Sequence, residues 1–401
     1  MHEGWRRNLY VIWLATFASL VGGNLALPFL PLFIQQDLGV SDPGTAAVWA
    51  GLASAMGGVA MAVMAPIWGS IADRHGRKAM LVRAQFAMGA ANATQAFVGA
   101  PWQLVGVRAV QGMFSGVVGA SRALVASTVP RERVPYAMGL IQSAVFLGQT
   151  LGPTIGGIVG SLLGFRATFM LTGGVNSLAG ILALLYVREV KTSAPRKSSS
   201  FRAGIAEVMK SRSLAILIGI QLVATIANMG VRPVLPLFLA EIEPGHDVVL
   251  TAGLGFAVLG LAGAVASVGV SRAAARIGLQ RLVAAAAVGA AIFNVLVATA
   301  TSPMLALLIL FGVGLFQGAV ACCVAALVSL YAPSHRQATA FGVASSAHAI
   351  AMGTGPLLGG ILASAIDLRA PFVAGGLFLL GAAALSLALG PILAGNPAAA
   401  E

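Results

Sequence analysis

Pro28-Phe29-Leu30-Pro31-Leu32-Phe33 returns 205 residues later as Pro233-Val234-Leu235-Pro236-Leu237-Phe238. Two further pairs keep nearly the same register. Gly152-Pro153-Thr154-Ile155-Gly156-Gly157 matches Gly355-Pro356-Leu357-Leu358-Gly359-Gly360, and Phe165-Arg166-Ala167-Thr168-Phe169 matches Leu368-Arg369-Ala370-Pro371-Phe372, each 203 apart. Three matches in one register make the chain two copies of one plan, running in the same direction.

The medium of the fold follows from composition. The chain is 58% hydrophobic and 9% charged, against about 25% charged in soluble domains. Twelve apolar windows of transmembrane length can be read: 9 to 34, 47 to 71, 79 to 99, 103 to 127, 137 to 162, 166 to 187, 213 to 240, 251 to 273, 281 to 300, 303 to 330, 337 to 364 and 370 to 393. In lipid every backbone polar group must be satisfied internally, and these windows are too long for barrel strands. The expected fold is therefore all-α and integral to the membrane, with two six-helix pseudo-repeats around a site near the bilayer midplane. The first window is too long for a signal peptide's apolar region, so it reads as a retained span. Cys322 and Cys323 are adjacent inside an apolar run and read as packing residues, with no metal site or disulfide framework.

The formal charge of +12 lacks the interleaved aromatics of a nucleic-acid surface and reads as a topology signal. Nineteen Lys and Arg residues fall at the N-terminus and in one set of loops, against two, Arg166 and Arg369, in the opposite set. That bias predicts cytoplasmic termini. The Ser-, Lys- and Arg-rich segment 188 to 212 reads as a cytoplasmic linker between an N-terminal bundle, 1 to 187, and a C-terminal bundle, 213 to 401. Within it, Phe201, Ile205, Val208 and Met209 have the spacing of a short surface helix, while a flexible linker explains the composition equally well.

Between the second and third windows stands Gly69-Ser-Ile-Ala-Asp73-Arg74-His-Gly76-Arg77-Lys78. Gly69 permits close helix approach, Gly76 a tight turn, and the charged residues a latch between helices. A plain positive loop accounts for the bases but not for Asp73 or the glycine spacing. In the second copy Ala275 replaces the acid. In the fifth window Gly139, Gly148, Gly152, Pro153, Gly156 and Gly157 form G-x8-G-x3-G-P-x2-G-G. Such a face would let the fifth span approach a partner from the other half, with Pro153 as a kink. The first motif resembles the signature of the major facilitator superfamily, the second that of its drug:proton antiporters. Several shorter stretches, among them Trp5-Arg6-Arg7-Asn8-Leu9 and Ala65-Pro66-Ile67-Trp68-Gly69, resemble MdtG-type efflux proteins. Arg108-Ala-Val-Gln111-Gly112 resembles the superfamily's R-x-x-x-G element. An interior Arg costs about 3 kcal/mol on insertion scales, so Arg108 either faces a cavity or snorkels to the surface.

The resemblance implies twelve helices, a central cavity lined by the first, fourth, seventh and tenth, and no cofactor. It raises Asn24, Arg108, Asn228, Arg232 and Gln317 above other polar span residues as cavity candidates. It further implies an exporter of small, mostly apolar compounds working by proton antiport as a monomer in the bacterial inner membrane, with an exporter or symporter of a sugar or other metabolite as the alternative. None of the twelve acids lies mid-span, and the first span offers Asn24 where many antiporters place a carboxylate. Candidates for the proton carrier are therefore His348, Asp37 and Asp73, of which only His348 lies inside a span and titrates near neutral pH. Ser345 and Ser346 beside His348 lack a supporting acid, which argues against an enzyme, and no P-loop is present.

Overall fold

A computed structural model describes residues 4–130, 133–188, 210–243, 247–331 and 337–394. The linker and its surface-helix segment, save Arg188 and residues 210–212, lie outside the described residues. So do the side chains of Gly69, Asp73, Arg74, Gly139 and Ser345. Among the described residues every regular element is helical.

The first span, α1 (Gly4–Leu25), passes through a 3-10 turn at Leu27–Phe29 into α2 (Leu30–Gln36). Pro28 and Pro31 lack the N–H that a continuous helix requires. Next come α3 (Pro43–His75), α4 (Arg77–Gln95), α5 (Pro101–Phe114), α6 (Val117–Thr128) and α7 (Val134–Tyr186). The second copy is α8 (Arg212–Val231), α9 (Val234–Ile242), α10 (Val248–Ile277), α11 (Leu279–Val297), α12 (Pro303–Tyr331), α13 (Gln337–Ala365) and α14 (Ala370–Ala394).

Ten stretches of the described residues are long and apolar enough to cross a membrane. One of them, Ser143–Tyr186, has 44 residues and holds two spans. Gly164, at φ 79° and ψ 170°, breaks it; that left-handed φ favours glycine. The 19-residue α4 supplies the remaining length, its hydropathy lowered by Lys78, Arg83, Gln85, Asn92 and Gln95. Twelve spans result, as the sequence predicts. The fourth is not one helix, however. Its chain breaks between α5 and α6, where Ser115 is extended and Gly116 has φ 125°.

The chain forms two compact units. The first comprises 1–42, 52–196 and 247–257; the second comprises 43–51, 197–246 and 258–401. The unit boundaries thus cut through α3 and α10. In the first unit α1 packs most extensively on α7, around a core of Leu9, Ile12, Leu81, Leu124 and Ile141. Polar stitches join α1 to α7 and to α4: Trp13 Nε1 donates to Ser143 Oγ at 3.1 Å, Ser19 Oγ to Asn176 Oδ1 at 2.6 Å, and Gln85 Nε2 to the Ala15 carbonyl at 3.0 Å. Each such bond stabilises a membrane protein by about 0.6 kcal/mol. The second unit gathers Leu214, Leu217, Val283, Cys323, Val324 and Ala382 from α8, α11, α12 and α14. Cys323 is buried in this core as a packing residue.

Candidate functional site

The turn between α3 and α4 consists of Gly76 alone, with φ 97° and ψ 147°. Its counterpart in the second copy, Gly278, has φ 81° and ψ 148°. Both copies therefore use the same reversal, available to glycine without strain. Arg77 Nη1 donates to the Ala123 carbonyl of α6 at 2.9 Å, tying the start of α4 to the fourth span, and Lys78 is likewise engaged.

The glycine face of the fifth span has two partners. A Cβ on Gly148 would fall 2.5 Å from Leu20 Cβ, and one on Gly152 would lie 2.7 Å from Asn24 Cβ and 2.9 Å from the Val21 carbonyl. A Cβ on Gly156 would meet the Leu25 backbone, 2.8 Å from its Cα. These three glycines therefore pack on α1 of the same half, so the expected partner in the other half is not theirs. Spacing reveals a small-residue face but not what fills it. Gly157 does meet the other sequence half: its Cβ would lie 2.7 Å from Gly253 Cα in the part of α10 that belongs to the first unit. Pro153 lies inside the helix and is buried.

The second copy repeats this packing. A Cβ on Gly355 would fall 2.7 Å from Met229 Cβ, and one on Gly359 would lie 2.9 Å from Gly230 Cα, both on α8. Gly360 meets Ala47 and Val48 of α3, in the part assigned to the second unit.

Two clusters of polar span residues form, one in each unit. In the first, Arg108 Nη1 donates to Gln111 Oε1 at 2.7 Å. Gln111 Nε2 donates to Asn92 Oδ1 at 3.2 Å, and Gln95 Nε2 reaches both Asn92 Oδ1 at 3.2 Å and Gln111 Oε1 at 3.3 Å. Arg108 thus caps a closed amide network between α4 and α5, and its Nε is buried without a partner. The sequence singles out Arg108 but leaves Gln111, Asn92 and Gln95 among ordinary polar residues. The signal was present in the one-turn spacings 108–111 and 92–95. Asn24 is not part of this network; its Nδ2 donates to the Leu20 carbonyl at 2.7 Å.

In the second unit Arg232 Nε donates to Asn228 Oδ1 at 3.2 Å, and Asn228 Nδ2 donates to Gln317 Oε1 of α12. His348 of α13 is half-buried and lies close enough to feel the Arg232 charge. Three of the five cavity candidates are therefore brought together. Asp37 stands elsewhere, accepting from Arg166 Nε at 3.1 Å, while Arg166 Nη1 donates to the Ala96 carbonyl at 2.7 Å.

Arg83, counted by sequence with the cytoplasmic loops, lies within α4. Its guanidinium sits 3.4 Å from the centre of the Trp68 ring, and Nη2 reaches the carbonyls of Phe114 and Ser115 at 3.4 Å. Trp68 Nε1 donates to the Met113 carbonyl at 2.7 Å. Together they take up carbonyls freed where the fourth span breaks. A cavity of about 610 Å³ between α4 and α5 is lined by Ala87, Ala91, Trp102, Gly106, Val110 and Phe114, among others. None of the five cavity candidates lines it. Its walls are almost wholly apolar, as lipid-facing helix surfaces are.

A family model described as Major Facilitator Superfamily matches residues 12–351 and 217–400. A protein of Lactococcus lactis named "Multi-drug resistance efflux pump PmrA homolog" is 31% identical over 94% of this chain and 93% of its own. "Multidrug resistance protein MdtG" of Serratia proteamaculans is 29% identical over 94% and 92%. Among solved structures, a bacterial homologue of the lysosomal transporter Spinster superposes with a TM-score of 0.79 at 15% identity, covering 96% of each chain. The nucleoside transporter NupG gives 0.76 at 13% identity, over 95% of this chain and 99% of its own. With the repeat, the twelve spans and the full-length match in agreement, the chain belongs to the major facilitator superfamily, a family of membrane transporters.

Proposed function

We propose that this protein is a secondary-active exporter of small, mostly apolar drug-like compounds, driven by proton entry and working by alternating access. The observation that carries this reading is the 31% identity, over nearly the whole of both chains, to a protein named as a multidrug efflux pump. The charge bias supports cytoplasmic termini, and the similarity to bacterial efflux proteins supports an inner-membrane location, with the monomer as the working unit. Alternating access needs a latch that breaks and reforms, and the Gly69–Lys78 motif at the α3–α4 turn supplies one. It also needs helices that pack closely in one state, for which the Gly148, Gly152 and Gly156 face on α1 is suited.

Export is tested by expressing the chain in a host stripped of efflux pumps and measuring survival against a broad compound panel. Resistance to several unrelated apolar compounds is expected. A uniformly negative panel would overturn drug export in favour of a sugar or other metabolite. For the proton carrier, His348 is the first candidate. In everted vesicles His348→Gln is expected to lose accumulation driven by a pH gradient while keeping exchange of labelled for unlabelled substrate. Unchanged pH dependence would remove His348 and move the same assay to Asp37 and Asp73.

A further inference from the structure

The repeat makes Arg232 conspicuous. At the offset of 205 that aligns Pro28 with Pro233, the position of Arg232 is held in the first copy by Leu27, so the broken first span forms there without a charge. The architecture does not require a cation at this point. Placing an Arg inside a span costs about 3 kcal/mol or more, so its presence calls for a compensating partner.

That partner is not a carboxylate. Among the described residues Arg232 makes one hydrogen bond, from Nε to the neutral amide of Asn228, and no acid pairs with it. The amide is held in turn by Gln317 of α12, which orients the Nε edge of the guanidinium. Among the described residues neither Nη nitrogen has a hydrogen-bond partner in the protein, and Arg232 as a residue is part-buried. The neighbouring titratable group, His348, brings no negative charge. A fixed guanidinium with its outer edge free is the geometry that takes the two oxygens of a carboxylate, sulfonate or phosphonate side by side.

We propose that Arg232, oriented by Asn228 and Gln317, is an anion-recognition subsite, so that the preferred cargo carries an apolar body and one carboxylate-like group. The inference rests on the exporter reading for its direction of transport but not for the binding itself. It also accounts for the absence of mid-span acids, since the site has no counter-charge for a cationic compound.

The test uses two dyes with the same ring system, fluorescein as its carboxylate anion and rhodamine 123 as a cation. Binding is measured by fluorescence anisotropy on the full chain in phosphatidylcholine nanodiscs. Wild type is expected to bind fluorescein more tightly, and Arg232→Gln to weaken fluorescein about tenfold or more while leaving rhodamine 123 within about twofold. Arg232→Lys keeps the charge but not the fork, and is expected to lie between them. It decides the matter if the Gln variant does not fold. Preference for rhodamine 123, equal loss of both dyes, or unchanged fluorescein binding would overturn the proposal. Loss of fluorescein binding when phosphatidylglycerol replaces the neutral lipid, seen in wild type and not in Arg232→Gln, would assign the fork to lipid headgroups and overturn it as a cargo site. Fluorescein bound with Arg232 dependence yet not moved by everted vesicles would keep the subsite and remove the exporter reading.

Discussion

The two units share their glycines and differ in their arginines. Gly152 and Gly156 press α7 onto α1, and Gly355 and Gly359 press α13 onto α8 in the same manner. By contrast, Arg108 joins a network of three amides, Gln111, Asn92 and Gln95, while Arg232 holds the single amide of Asn228. Duplication preserved what packing in lipid requires of the backbone. The polar groups, which packing does not prescribe, diverged.

The sharpest way to break this comparison is to fill the shared glycines. Gly156→Leu and Gly359→Leu would each drive a side chain into a helix backbone, where overpacking costs about 1–3 kcal/mol or more. Efflux is expected to fall about tenfold or more in both, and membrane levels measured alongside separate misfolding from arrest. Tolerance in one unit alone would show that the symmetry is only geometric. At the motif that only one copy completes, the effect is expected on transport and not on folding. Asp73→Asn should abolish transport while leaving membrane insertion intact, and Arg77→Ala should follow it; near wild-type transport would remove the latch.

The arginine clusters differ in what they risk. Gln111→Leu removes the acceptor of Arg108 Nη1 and one bond each from Gln95 and Asn92, costing about 1–3 kcal/mol as a lower thermal unfolding midpoint in detergent. Gln317→Leu should cost less, since Arg232 bonds to Asn228 rather than to Gln317. Equal shifts would mean that the second cluster is as closed as the first. The smallest effect is expected for Arg83→Gln, which loses the Trp68 stack, about 0.5–1 kcal/mol, in the same melting assay.

The spans were legible because lipid demands long apolar runs, and the repeat was legible because the proline and glycine constraints of each half are identical. Even polar α4 was found, through the charges that bound it. The break of the fourth span was not, because Ser115-Gly116 looks like any other site in a chain with 50 glycines. Arg83 was misplaced for a related reason: charge counting assigns a base to the nearest loop, whereas a Trp face inside the fold can hold it. Likewise, no spacing rule announces that Pro43–Gly51 and the first residues of α10 belong to units other than those of their sequence neighbours. Such membership is decided by contacts remote in sequence, as when Gly51 meets Leu357, where a Cβ would lie 2.9 Å from the Leu357 Cα.

Gly164 shows a constraint of a different kind. A methyl group built there would touch nothing within 4 Å, yet its φ of 79° lies where L-residues are disfavoured. Vacant volume at this point is no licence for substitution, since the requirement is one of handedness. A mirror-image alanine, introduced by chemical ligation, would adopt this φ naturally and restrict the unfolded chain, for a gain of about 0.4–1 kcal/mol. The same methyl on an L-alanine would oppose it.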